Sequence, residues 1–210
     1  TLSMPENLHK LFVISSPSGG GKTSLINKLF EDSRSANFEK SISDTSRQKR
    51  QGDLEGKDYY FLSEKDFKDK IKKEEYVEYA TVFGNFYGTS KEEIKTKYNN
   101  SNLILELDWQ GAYAVKELFD DAKLIFLVPP SLDDLKQRLI KRNLDSSEAI
   151  ESRLSEAKKE ISKSEMYDYL VLNDDFDKAF EDLSQILFEG ISPIDFNSRA
   201  SKDLIKRLVE

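Results

Sequence analysis

The sequence predicts an α/β protein: a parallel sheet with helices on both faces, an inserted mixed α/β segment, and a helical lid. Three observations carry that prediction. Leu11 to Ile14, Leu103 to Leu107 and Leu124 to Val128 are short, nearly continuous apolar runs, the pattern of strands buried on both faces. Segments of helical spacing alternate with them. The first run enters a glycine-rich turn that opens into an amphipathic stretch.

In chain order, Leu11 to Ile14 is the first strand. Thr23 to Phe30 follows with apolar residues at Leu25, Ile26, Leu29 and Phe30, a helical repeat. From Asn37 to Tyr98 the chain turns rich in Tyr, Phe, Ser and Thr, with turns at Gly52, Gly56, Gly84 and Gly88. Within it Lys65 to Lys73 reads as a helix and Tyr76 to Phe83 as strand. Ala112 to Phe119 is helical, and Tyr169 to Leu172 is a further strand. Leu132 to Lys163 reads as two exposed, charged helices broken near Asn143 to Ser147, with Asp145 or Ser146 as a cap. We therefore expect a core of 8–36 and 99–190 with a lid at about 132–163, an insert at 37–98, and a C-terminal helix or tail at 191–210.

Composition excludes several classes. The 210 residues carry a net charge of −7, which argues against duplex nucleic-acid binding. Local clusters of Arg and Lys can still hold a small anion. No stretch approaches the ~20 apolar residues of a membrane helix, and the start, TLSMPENLHK, lacks a signal-peptide apolar region. With no cysteine there are no disulfides, thiolate metal sites or Cys nucleophiles, which suits a cytoplasmic protein. His9 is the one histidine and reads as an ordinary surface residue.

The glycine-rich turn spans Ser16, Pro17, Ser18, Gly19, Gly20, Gly21, Lys22, Thr23 and Ser24. It follows the phosphate-loop pattern G-x-x-x-x-G-K-[ST], with Ser16 in place of the first glycine. The glycines let backbone N–H groups turn in around phosphate oxygens, and the helix start adds its positive end. Lys22 is then expected on the β- and γ-phosphates and Thr23 on Mg²⁺.

Beyond the loop run SDTSRQKRQGDLEGKDYYF from Ser43, EYATVFGNFYGTS from Glu78 and LELDWQG from Leu105. Over roughly Leu11 to Phe188 the chain resembles the guanylate kinase family, whose acceptor signature is similar to S-x-[ST]-[ST]-R-x-x-R-x-G-E-x-x-G-x-D-Y-x-F. That resemblance implies transfer of the γ-phosphoryl group of ATP to GMP, and use of dGMP as well, with Mg²⁺. It makes 37–98 the GMP-binding segment.

Guanine offers N1–H and an N2 amino group beside the O6 acceptor. A carboxylate takes both donors and hydroxyls reach O6. The resemblance assigns these parts to Glu78, Ser43 and Thr89, next to Gly88, and assigns the GMP phosphate to Arg47, Arg50, Tyr59 and Tyr87. Arginine suits phosphate through its planar, bidentate fork. Asp53 stands where the family pattern has Glu; one methylene shorter, it is expected to hold the arginines weakly or through water. Asp108 ends an apolar strand and is left between the guanine side and Mg²⁺ through water; Glu106 is left more open still, and Trp109 reads as packing.

Arg138, Arg142 and Arg153 lie in the charged hairpin. Many neighbouring charges there read simply as solvated helix faces. By resemblance these three are lid arginines that, with Lys22 and Arg50, stabilise charge during transfer. Asn173 and Asp174 match an Asn-Asp element near ATP. Asn143 replaces a common glycine and tolerates the same turn. Two other readings stand beside this one: an inactive binding module of the same fold, and a phosphate-loop kinase acting on a different nucleoside monophosphate.

Overall fold

The apolar run at the start becomes β1 (Leu11–Ser15), buried along its whole length, followed by α1 (Lys22–Glu31) and β2 (Phe38–Lys40). This computed structural model describes residues 9–82, 84–141, 147–194 and 198–209. Next come β3 (Asp44–Thr45), β4 (Tyr60–Phe61), α2 (Glu64–Lys72), β5 (Tyr76–Val82) and β6 (Asn85–Ser90). The chain continues through α3 (Lys91–Tyr98), β7 (Asn102–Glu106), α4 (Trp109–Leu118) and β8 (Lys123–Val128). It ends with α5 (Leu132–Lys141), α6 (Ser147–Ser162), β9 (Tyr169–Leu172), α7 (Phe176–Ser184) and α8 (Arg199–Val209).

Five strands form one all-parallel sheet in the order β2-β7-β1-β8-β9. Alternate side chains of each strand feed two cores. Leu11, Val13, Leu103, Leu105, Leu124 and Phe126 face the side covered by α3, α4 and the C-terminal Leu208. Phe12, Ile14, Ile104, Ile125 and Leu127 face α1 and α7 through Leu25, Ile26, Leu29, Ala179 and Leu183. Both faces are dry, which is why the strands read as continuous apolar runs.

The helices start where the sequence supplies caps. Ser63, Ser90, Asp108 and Asp175 each accept a backbone N–H from the first turn of α2, α3, α4 and α7. A second sheet, β4-β3-β6-β5, mixes parallel and antiparallel pairing. Phe67, Tyr76 and Phe86 stack beneath it.

Two expectations change and one open alternative is decided. Phe38–Lys40, expected within the insert, is a strand of the parallel sheet, so the second sheet begins after it. The charged hairpin is not solvated all round: α5 buries Leu135 and Leu139, and α6 buries Ala157 and Ile161. The segment after Ser192 contains α8, with Leu208 buried. Arg142, Asn143, Asp145 and Ser146 lie outside the described residues, as does Phe83.

Candidate active site

Residues at the carboxyl ends of β1 and β7 meet at the start of α1, the usual place for a ligand on an open parallel sheet. The loop after β1 is held by its own bonds: Gly20 donates its N–H to Pro17 at 2.8 Å, and the Ser16 hydroxyl points to the same carbonyl at 3.2 Å. Gly21 has φ +90°, and a Cβ there would lie 2.5 Å from the Asn173 amide nitrogen. That amide donates to the Gly20 carbonyl at 2.7 Å and so clamps the loop.

Two cavities flank the loop. One, of about 390 Å³, is lined by Gly19, Gly21, Ser24, Arg138, Lys141, Asn173, Asp174 and Phe176. Arg138 donates to the Asn173 carbonyl at 2.8 Å, and Arg153 reaches the Ser18 hydroxyl at 3.2 Å. Arg138 and Arg153 thus converge on the loop from α5 and α6.

The other cavity, of about 270 Å³, lies toward the second sheet. Lys22, Thr23, Lys40, Ser43, Asp58, Tyr59, Thr89 and Glu106 line it. The buried Thr89 hydroxyl donates to Glu78 at 2.7 Å, and the Ser43 hydroxyl lies 3.5 Å from it. Gly88 is pressed between strands: a Cβ would sit 3.0 Å from the Glu78 carbonyl. Arg47 pairs with Asp53 at 2.9 Å beneath the rings of Tyr59 and Phe61, and Tyr87 meets Tyr59 edge to face. Asp53 also accepts the Arg50 N–H at 2.7 Å. The expected weak or water-mediated role of Asp53 is therefore replaced by direct bonds, since the turn at Arg50–Asp53 makes up for the shorter side chain. Arg50 itself is exposed.

Charge is unevenly matched around Lys22. Burial pushes its ammonium down, while the carboxylates of Glu106, Glu160 and Asp108 hold it up. Lys22 points toward the Leu107 carbonyl at 3.5 Å. Burial pushes the Glu78 carboxyl up, its bond from Thr89 opposes that, and Asp108 adds to it. Asp108 caps α4 through the Gly111 N–H and is exposed between these groups. Glu160 of α6 is pushed up to about 7 by burial, with Asp108 adding and Lys22 opposing.

Thr23 donates its hydroxyl to Glu106 at 3.2 Å, and Lys40 pairs with the other Glu106 oxygen. A hydroxyl and a carboxylate are hard oxygen donors of the kind magnesium takes. Among the described residues no cluster of three His, Cys, Asp or Glu could hold a metal unaided. Phosphate and water oxygens would complete such a site.

Sequence reasoning left the role of Glu106 open and did not single out Lys40, Asp58, Lys141, Phe176 or Glu160. Glu106 had a signal, an acidic residue at the end of an apolar run. Lys40 and Glu160 had none: each is one charge among many.

A parallel sheet with this clamped loop at its first strand and arginines converging on it defines a phosphate-loop nucleotide-binding protein. The family model for guanylate kinase matches residues 8–190. A guanylate kinase of Wolbachia sp. subsp. Brugia malayi is 46% identical over 184 residues, covering 87% of this chain and 93% of that one. One from Hahella chejuensis is 48% identical over 178 residues, covering 84% and 85%. A crystal structure of guanylate kinase from Anaplasma phagocytophilum superimposes with a TM-score of 0.67 at 32% identity, covering 99% of this chain and all of that one. The chain belongs to the guanylate kinase family, and its activity is phosphoryl transfer to guanylate. Among the described residues no helix is long and apolar enough to cross a membrane.

Proposed function

We propose that the cavity beside Glu78 takes GMP, that the cavity beside Asn173 takes ATP, and that Lys22 lies between the two reacting phosphates. The observation that carries this reading is the Thr89–Glu78 bond at the wall of the cavity that Lys22 also lines. Glu78 accepts N1–H and N2–H of guanine. Thr89 already directs its proton to Glu78, so Ser43 is the hydroxyl with a proton for O6. Adenine would leave these buried groups unmet, at about 1–3 kcal/mol each.

Arg47, fixed by Asp53, and the tyrosines Tyr59 and Tyr87 hold the GMP phosphate, with Arg50 joining from its exposed position. Ser16 to Ser24, Asn173 and Asp174 hold the donor. Thr23 and Glu106 would hold the Mg²⁺ that accompanies ATP, and Asp108 would reach it through water. Bound there, Mg²⁺ supplies charge neutralisation on the β- and γ-phosphate oxygens. Lys22, Arg138 and Arg153 place positive charge where it develops during transfer, and Arg142 is assigned the same task from the sequence. The acceptor is already a phosphate oxyanion, so no general base is needed and the work is positioning.

The segment after β2, up to residue 98, acts as the acceptor lobe and 132–163 as the lid, closing together to exclude water. dGMP is accepted too, and the enzyme works in the cytoplasm, where its nucleotides are. The test is to offer the four nucleoside monophosphates with MgATP. GMP should exceed AMP by about 10⁴ in kcat/KM. Comparable turnover of AMP, CMP or UMP would replace this reading with that of a different monophosphate kinase, and no turnover with any would make the chain a binding module.

A further inference from the structure

One cation in the acceptor cavity has no part in the account above. Lys40 is the last residue of β2, where the parallel sheet gives way to the second sheet, and its side chain enters the cavity shared by Lys22, Ser43, Tyr59 and Thr89. Its ammonium pairs with one oxygen of Glu106, while the other oxygen accepts from Thr23. Glu106 is largely covered, its side chain 14% exposed, whereas the Lys40 side chain is 40% exposed. Lys40 also lies close enough to Lys22 to repel it.

An ammonium therefore stands on the carboxylate that, with Thr23, would meet a divalent cation. A carboxylate this covered is costly to leave unpaired, and a lysine meets that need. It cannot comfortably keep both partners, because an ammonium and a divalent cation on one carboxylate repel each other. Lysine has a long flexible stem and a compact charge, so it can leave. Lys40 lines the same cavity as Tyr59, one of the residues assigned to the acceptor phosphate.

We propose that Lys40 is an exchangeable cation: it holds Glu106 until the nucleotide's metal takes that carboxylate, and then turns to the phosphate of GMP. This rests on the reading of the two sites given above and adds a coupling between them. Loading of the metal–nucleotide makes a cation available to the acceptor, and by linkage GMP tightens the metal–nucleotide equally. Lys40 does not touch the transferred group and needs no change in the chemistry.

The experiment is a calorimetric measurement of GMP affinity on the full chain, with ADP plus EDTA and with MgADP, for the parent, Lys40→Met and Lys40→Arg. The parent should bind GMP about 5–20-fold more tightly with MgADP than with ADP alone. Lys40→Met should lose that difference to within about 2-fold while keeping the parent's GMP affinity in EDTA, since Lys40 is then engaged with Glu106. Lys40→Arg should retain most of the coupling, which a merely structural loss would not allow. The same metal-dependent tightening in Lys40→Met as in the parent overturns the inference, and so does a parent that binds GMP with no metal dependence. A parent that binds no GMP at all overturns the reading of the acceptor site itself, and this inference with it.

Discussion

The Thr89 hydroxyl donates to Glu78 at 2.7 Å across β6 and β5, whose register places the two residues opposite each other. The bond does two things. It ties the carboxylate to Thr89, which lines the cavity, and it opposes the upward push that burial gives the Glu78 carboxyl. Replacing Thr89 by Val removes the bond and keeps the shape. GMP affinity should fall about 10–100-fold, the worth of one bond to a charged group, with a smaller change in kcat. Titration calorimetry checks it; unchanged affinity would mean that Glu78 needs no orienting partner.

Asp53 is held below the usual carboxylate range by its bond from Arg47, with the Arg50 N–H adding. A depressed pKa means that the grip is intact above the unfolded value and is lost only as pH falls through the folded one. Asp53→Asn should raise KM for GMP about tenfold with little change in the preference for guanine, because it loosens the phosphate arginines and leaves the base contacts alone. The Asp53 carboxyl, followed by NMR, should stay ionised from neutral pH down to the ordinary carboxylate range. Protonation above that range would mean that the Arg47 bond does not hold it.

At Gly21 two requirements coincide, a φ of +90° and a missing Cβ 2.5 Å from Asn173. Gly21→Ala should destabilise the loop by about 1–3 kcal/mol from the backbone alone. Nucleotide donor binding should be lost before global stability, which paired calorimetric and thermal measurements separate. Asn173→Ala should weaken ATP binding without the backbone strain.

Glu160 gives a pH dependence of stability. Its carboxyl is raised from 4.5 to about 7, so the folded state binds more protons than the unfolded state between those values. Stability should therefore fall as pH rises through that window, by about 1–2 kcal/mol after discounting for partial exposure. Glu160→Gln should flatten the slope, and denaturant midpoints at pH 5, 6, 7 and 8 would show it. An equal slope in the variant would assign the dependence elsewhere.

Much of the core was legible because its signals are local. Leu11, Val13 and Phe12, Ile14 face opposite cores within one run, so the run had to be a parallel, doubly covered strand. The loop announced itself through three glycines and Lys22. β3 and β4, two residues each, were not legible, since pairing with β6 and with each other sets them and not any local pattern. Phe38–Lys40 reads like the polar insert that follows, and only its pairing with β7 places it in the core. Ser43, Glu78 and Thr89 were found through an ordered motif, and the structure brings Glu78 onto Thr89 and Thr89 beside Ser43. Lys40 and Glu160 gain their meaning from partners 66 and 138 positions away, Glu106 and Lys22, and no local spacing records that.

The claim on which the rest depends is that Glu78 reads guanine in a pocket opening onto Lys22. The most direct measurement is the ratio of kcat/KM for GMP to that for AMP in Glu78→Gln against the parent. The neutral amide can accept only one of guanine's two donors, so the ratio should fall by about 10²-fold or more, chiefly through GMP. A ratio equal to the parent's would contradict the account.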